Sequence, residues 1–161
     1  MALTIIVADY HNAAHAADIL SLLNYYALDP MGGGAALKPD VQSNLIGELQ
    51  KIDHAFSVLA YDDEKPVGLV NCFEAFSTFN CAPLINIHDV VVHESSRGKG
   101  TCQHMLEQVK QVARERGCCK VTLEVLTGNE AAKRAYHKAG FSGYELDPEM
   151  GHAVFWQHSL N

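Results

Sequence analysis

Leu84-Ile85-Asn86-Ile87-His88-Asp89-Val90-Val91-Val92 runs into a loop, His93 to Lys99, from which Arg97-Gly98-Lys99-Gly100-Thr101-Cys102 opens a second pattern. The first stretch is apolar and β-branched, as a buried strand is. After the loop, Met105, Leu106, Val109, Val112 and Ala113 recur at helical spacing, and Gly117 ends that helix. A strand, a basic glycine turn and an amphipathic helix together have the physics of an anion site, while such a turn by itself reads equally as a solvated loop. The first N–H groups of a helix lack internal partners and lie at the positive end of its dipole. Glycines let the backbone approach a phosphate closely, and Arg97 and Lys99 add charge. The spacing is not that of a Walker loop, because Gly100 follows Lys99, nor of G-x-G-x-x-G, because Gln103 stands at the third glycine.

Outward from this centre, the chain reads as alternating elements. Thr4 to Ala8 is a first strand. Asn12 or Asp9 caps a helix with Ala16, Ile19, Leu20, Leu23 and Tyr26 on one face, stopped by Asp29-Pro30. Pro39-Asp40 starts a second helix. Ala55 to Tyr61 and Pro66 to Phe76 read as a hairpin around Asp62 to Lys65. Beyond the central helix come a strand from Cys119 to Leu126, a helix from Asn129 to Ala139 closed by Gly140, and two last strands, Phe141 to Tyr144 and Ala153 to His158, about a turn at Asp147-Pro148. The order β-α-α-β-β-β-α-β-α-β-β gives an α/β class with a mixed sheet and helices on its faces.

The 161 residues suit one domain, 1–161, without repeats or linkers. With 48% hydrophobic and 19% charged residues, the chain has material for a core and is not disordered. Lys and Arg total 12 against 19 Asp and Glu, a net charge of -7, which argues against nucleic acid as a partner and mildly for cationic ligands. No apolar run reaches the roughly 18–20 residues that cross a bilayer, and Met1 to Val7 lacks the basic region of a signal peptide, so no membrane association is expected. Five cysteines, an odd count with Cys118 and Cys119 adjacent, point to reduced, buried thiols in the cytoplasm. His11 and His15 are four apart but lack a third ligand, so no metal site is expected. Met31 to Gly34 reads either as a lid or as a flexible link. Phe73, Phe76, Phe79 and Trp156 read as core or dimer surface, with Phe76 to Phe79 also a loop that could line an acceptor pocket.

Arg97-Gly98-Lys99-Gly100-Thr101-Cys102 after Asp89 to Val92 resembles the acyl-CoA signature R/Q-x-x-G-x-G/A of the GNAT superfamily of N-acetyltransferases. Arg97 and Gly100 match; Cys102 stands where Gly or Ala is usual, and either crowds a pyrophosphate or packs under the helix. Asn129-Glu130-Ala131-Ala132-Lys133-Arg134-Ala135-Tyr136-His137-Lys138-Ala139-Gly140-Phe141 resembles the family's N-x-x-A-x-x-x-Y-x-x-x-G-F segment. The resemblance covers the whole chain and is most specific from Asn86 to Phe141.

The resemblance implies direct transfer of acetyl from acetyl-CoA, a co-substrate, to a primary amine, with no metal. It implies splayed fourth and fifth strands, with Val90, Val91 and Val92 pairing with pantetheine while Arg97, Gly98, Lys99, Gly100, Thr101 and Cys102 hold the pyrophosphate. It also makes Tyr136 the general acid and a cofactor neighbour, and Asn129 a helix cap, a contact to the cofactor arm, or both. His88 and Asp89 fall where polyamine-type members carry acidic residues. A histidine with pKa near 6.5 is a competent base at neutral pH, with Glu124 or a water relay as alternatives. The acceptor expected is a small cationic amine. Acetylation of a protein lysine or N-terminus, and a non-catalytic acyl-CoA sensor, are the competing readings. A toxin acting on aminoacyl-tRNA would need a basic face that this composition lacks. Family habit implies a homodimer.

Overall fold

Two units make up the chain in the computed structural model, one ending at Leu123 and one beginning at Glu124. The structure describes residues 2–144 and 147–161; Met1, Glu145 and Leu146 lie outside the described residues. In the first unit, β1 (Leu3–Val7), β2 (Ala55–Asp62), β3 (Lys65–Ser77), β4 (Ala82–Val92) and β5 (Val121–Leu123) form one sheet in that order. The first four strands are antiparallel neighbours and β5 runs parallel to β4. Helices α1 (Ala13–Leu28) and α2 (Pro39–Leu49) lie between β1 and β2 in the chain, and α3 (Thr101–Glu115) connects β4 to β5.

Register explains the core. Ile6 pairs with Leu59, Leu59 with Leu69, and Leu69 with Val91, a row of apolar residues crossing four strands. Residues aligned this way share a face. Leu59, Leu69 and Val91 are buried with Ile19 and Leu22 of α1, while Ile6, Leu23 and Ile46 pack at the margin. The other face receives α3, whose Met105, Leu106, Val109, Val112 and Ala113 are all buried as the helical spacing foretells. A Cβ on Gly68 would come within 2.7 Å of Met105 Sδ, so this helix lies directly on the backbone of β3.

Several expectations are adjusted. Asn12 caps α1, accepting from the N–H groups of Ala14 and His15, but the buried stripe is Ile19, Leu22 and Ala27. Leu20 and Leu23 flank it, because an apolar helix that is hydrophobic around most of its girth gives a poor periodic signal. Met31 to Gly34 is held by hydrogen bonds to Asp29 and Pro30. Pro30–Gly32 is a 3-10 turn capped by Asp29, whose carboxylate accepts from Met31 N–H and whose carbonyl accepts from Gly32 and Gly34. Of the thiols, only Cys72 is buried; Cys81 and Cys119 are exposed, all five are free, and Cys118-Cys119 precedes the strand rather than beginning it. Phe76 is exposed, and Phe79, 90% exposed at the tip between β3 and β4, is no core residue.

The second unit contains α4 (Glu130–Lys138), capped by Asn129, and a 3-10 turn at Pro148–Met150. Phe141 to Tyr144 and Ala153 to His158 are not strands among the described residues. Ala153 N–H donates to Tyr144 O at 3.1 Å, and Val154, Phe155 and Trp156 are exposed. Alternation in sequence states which residues suit a pleat; a strand exists only where a second edge completes the ladder.

Candidate functional site

The site of the first unit starts with an interruption in β4. Asn71 pairs with Asp89, but the next residue, Cys72, pairs with Ile87, so His88 is an extra residue bulged out of the ladder. A bulge shifts the alternation of side chains by one. Ile87 remains buried on the face shared with Cys72, while Asp89 aligns with Asn71 and Val91 on the α1 face. His88 is exposed, its ring edge-on to Phe73 at 5.6 Å. Asp89 is half-buried. Tyr26 of α1 lies near enough that the Asp89 charge, after burial as the larger cause, raises the pKa of its phenol. Tyr26 also donates to Met31 O at 3.4 Å, which ties the capped turn after α1 to this corner.

The ladder between β4 and β5 covers only Ile85 with Val121, Asn86 with Thr122 and Ile87 with Leu123. Past that point Asp89, Val90, Val91 and Val92 pair with β3, and the β4–β5 ladder ends at Ile87 with the last residue of β5. The fifth strand is three residues, shorter than the Cys119 to Leu126 expected. Val91 is buried, and Val90 and Val92 are half-buried.

The loop that follows brings a glycine to the start of α3. Glu94–Ser96 forms a 3-10 turn, then Gly98 (φ 73°) and Gly100 (φ 82°) adopt the left-handed conformation that glycine tolerates without a Cβ penalty. Gly100 is the N-cap of α3 and, having no side chain, makes no side-chain cap hydrogen bond to the first turn of the helix. Thr101 is buried beneath the turn, its hydroxyl 2.6 Å from Ser96 Oγ and 3.3 Å from Ser96 O. Arg97 turns back toward the strand: Nε donates to Val92 O at 3.2 Å and Nη2 to Tyr25 OH at 3.4 Å. Tyr25 in turn stacks on His93 at 4.7 Å. Lys99 is exposed. Cys102 packs half-buried in the first turn, and burial pushes its thiol up to about 11, so it stays uncharged at neutral pH and brings no negative charge to an anion.

In the second unit, Asn129 Oδ1 accepts from Ala132 N–H at 3.1 Å, the cap its position suggests. Tyr136, seven residues further, lies half-buried with its ring tilted against Phe141 at 6.3 Å. Phe141 N–H donates to Tyr136 O at 2.9 Å, closing the helix after Gly140. Glu124 is exposed. Among the described residues, no group of three His, Cys, Asp or Glu is placed to hold a metal ion, and no helix is long and apolar enough to cross a membrane. His15 instead accepts from the Asp9 N–H at 3.0 Å.

A mixed sheet with a three-pair β4–β5 ladder and a two-glycine turn at the start of α3 is the arrangement the comparisons were set against. The family model for the GNAT acetyltransferases matches residues 21–141, and the chain belongs to that family. A streptothricin acetyltransferase of Escherichia coli is 31% identical over 106 residues, 60% of this chain and 58% of that protein. A streptothricin acetyltransferase of Streptomyces lavendulae is 35% identical over 78 residues, 47% of this chain and 41% of that one. The chain thus spans about half the length of these curated relatives. Among solved structures, AAC(6')-Iy in complex with a bisubstrate analogue, CoA-S-monomethyl-acetylneamine, aligns with a TM-score of 0.79 at 16% identity, covering 99% of both chains.

Proposed function

We propose that the protein is an acetyl-CoA-dependent N-acetyltransferase acting in the cytoplasm on a primary amine of a small cationic acceptor. The observation that carries this reading is the occurrence, within one unit, of the half-laddered end of β4 and the glycine-capped start of α3. Pantetheine amides suit a strand that lacks its neighbour, and the first N–H groups of α3 suit a pyrophosphate. Two curated relatives are streptothricin acetyltransferases, and an acidic chain of net charge -7 attracts cations.

In this reading His88 takes the proton from the ammonium and the freed amine attacks the thioester carbonyl. The tetrahedral intermediate collapses with cleavage of the C–S bond, and Tyr136 supplies a proton to the departing thiolate. Asp89 holds the positive charge of the acceptor. Arg97, Gly98, Lys99, Gly100, Thr101 and Cys102 surround the pyrophosphate, and Val90, Val91, Val92 and Asn129 meet the pantetheine arm. Residues 1–161 act as one catalytic domain, and a second copy covers apolar surface such as Phe155 and Trp156 in a homodimer, which sedimentation velocity tests.

Thermal unfolding with acetyl-CoA, CoA, NAD and ATP in parallel tests the cofactor. Acetyl-CoA and CoA at about 100 times Kd are expected to add roughly 2.7 kcal/mol, with no comparable shift from NAD. Thiol release with streptothricin, an aminoglycoside or a polyamine then tests the acceptor. A protein that acetyl-CoA stabilises but that turns over no amine is a sensor instead.

A further inference from the structure

Beside the apolar row of the sheet runs a polar one. Ser57 pairs with Asn71 and Asn71 with Asp89, two positions along from Leu59, Leu69 and Val91, and therefore on the same α1 face. Ser57 is fully buried and Asn71 is 6% exposed. Tyr10, from the segment before α1, closes the row, its hydroxyl 2.8 Å from Ser57 Oγ. Ser57 Oγ donates to Asn71 Oδ1 at 2.7 Å, and Asn71 Nδ2 donates to Asp89 Oδ2 at 3.1 Å.

The direction of this chain follows from its end. A carboxylate only accepts, so Asn71 must turn its NH2 to Asp89 and its carbonyl oxygen to Ser57. Ser57 spends its one proton there, which leaves Tyr10 as the donor to Ser57. Every O–H and N–H therefore points toward Asp89, and bonds aligned head to tail polarise one another. Asp89 Oδ1 takes no part in the chain. Alanine at 57 and leucine at 71 would occupy the sheet centre without needing partners, because a buried polar group is costly unless bonded. The polar row instead runs unbroken from Tyr10 to the bulge.

We propose that Tyr10, Ser57 and Asn71 are positioning residues that act through Asp89, fixing one of its oxygens so that the other meets the ammonium of the acceptor. This rests on the acceptor-binding role of Asp89 proposed above. Tyr10 thereby affects amine recognition from the far side of β2 and β3, without touching the cofactor loop.

Steady-state acetylation of streptothricin and of spermidine, followed by CoA thiol release, tests the chain in the full-length protein with Tyr10→Phe, Ser57→Ala, Asp89→Asn and the two doubles with Asp89→Asn. Urea unfolding of each variant is measured in parallel. Asp89→Asn is expected to lower kcat/KM about 10- to 100-fold, the range for a bond to a charged group. Tyr10→Phe and Ser57→Ala are expected to raise the amine KM about 3- to 10-fold, leave the acetyl-CoA KM in place, and add nothing in the Asp89→Asn background. A purely structural role moves stability alone or acts equally with and without Asp89. Full additivity, or an equal rise in the acetyl-CoA KM, overturns the chain while leaving Asp89 intact. Wild-type kinetics in Asp89→Asn overturn the role of Asp89 itself, and a wild-type protein that turns over neither amine overturns both.

Discussion

At single residues, the position of a side chain in the ladder matters more than its type. His88 stands outside the register, exposed against Phe73, where a base can reach an incoming amine from solvent. His88→Ala is expected to lower kcat/KM about 10- to 100-fold, with the acetyl-CoA KM nearly constant. Wild-type kinetics in that variant would remove His88 as the base and leave Glu124 or a bound water. Thr101 acts through the fold instead, since its hydroxyl and that of Ser96 satisfy one another in a buried place under the glycine turn. Thr101→Val strands the Ser96 hydroxyl, and a loss of about 1–3 kcal/mol in urea unfolding is expected. Because the same turn orients the start of α3, weaker acetyl-CoA binding by calorimetry is expected with it.

Among elements, the segment between α1 and α2 shows how a stretch that looks loose in sequence becomes a wall. Three consecutive glycines suggest freedom, yet Asp29 anchors the turn through its side chain and its carbonyl, and Leu37 N–H donates to Asn24 Oδ1 at 2.9 Å. Gly32 is required by close approach: a Cβ there would stand 2.0 Å from Tyr26 O. Gly32→Ala must therefore displace the turn from the end of α1, and with it Tyr26 beside Asp89. A cost of about 1–3 kcal/mol is expected, with a raised amine KM and an unaltered Kd for acetyl-CoA. Equal weakening of both ligands would show that the turn supports the fold as a whole.

Across the molecule, the thiols and phenols with displaced ionisation lean one way. Burial raises the pKa of the Cys72 thiol and of the phenols of Tyr10, Tyr26 and Tyr61, and it pushes the Cys102 thiol up from its ordinary 9.0 to about 11. Above pH 9 an unfolded chain gives up thiol protons that the folded chain keeps, so the folded state binds more protons and stability falls as pH rises. The stabilising contribution of Cys102 is complete below about 9 and lost progressively up to about 11. Urea midpoints at pH 7.5, 9, 10 and 11 are expected to decline steadily above 9, and Cys102→Ala to flatten part of that slope. A flat response to pH 11 would mean these groups reach solvent.

Much of the architecture is written locally. The strand Leu84 to Val92, the glycine turn and the apolar face of α3 follow from short-range rules: β-branched residues favour a pleat, glycine alone accepts positive φ at low cost, and a 3.6-residue period marks one helix face. Asn12 and Asn129 as caps were readable for the same reason, since a cap bonds N–H groups two or three residues away. The polar row from Tyr10 to Asp89 was not readable, because its members lie 14 to 47 residues apart and meet only through register. Asn71 inside Leu69-Val70-Asn71-Cys72 was the one clue, a polar residue in a buried run. The pattern around Ala153 to His158 promised a strand for which the described residues provide no ladder. Hydrogen bonds between strands need a partner edge, and which edges meet is a property of the folded chain rather than of any segment.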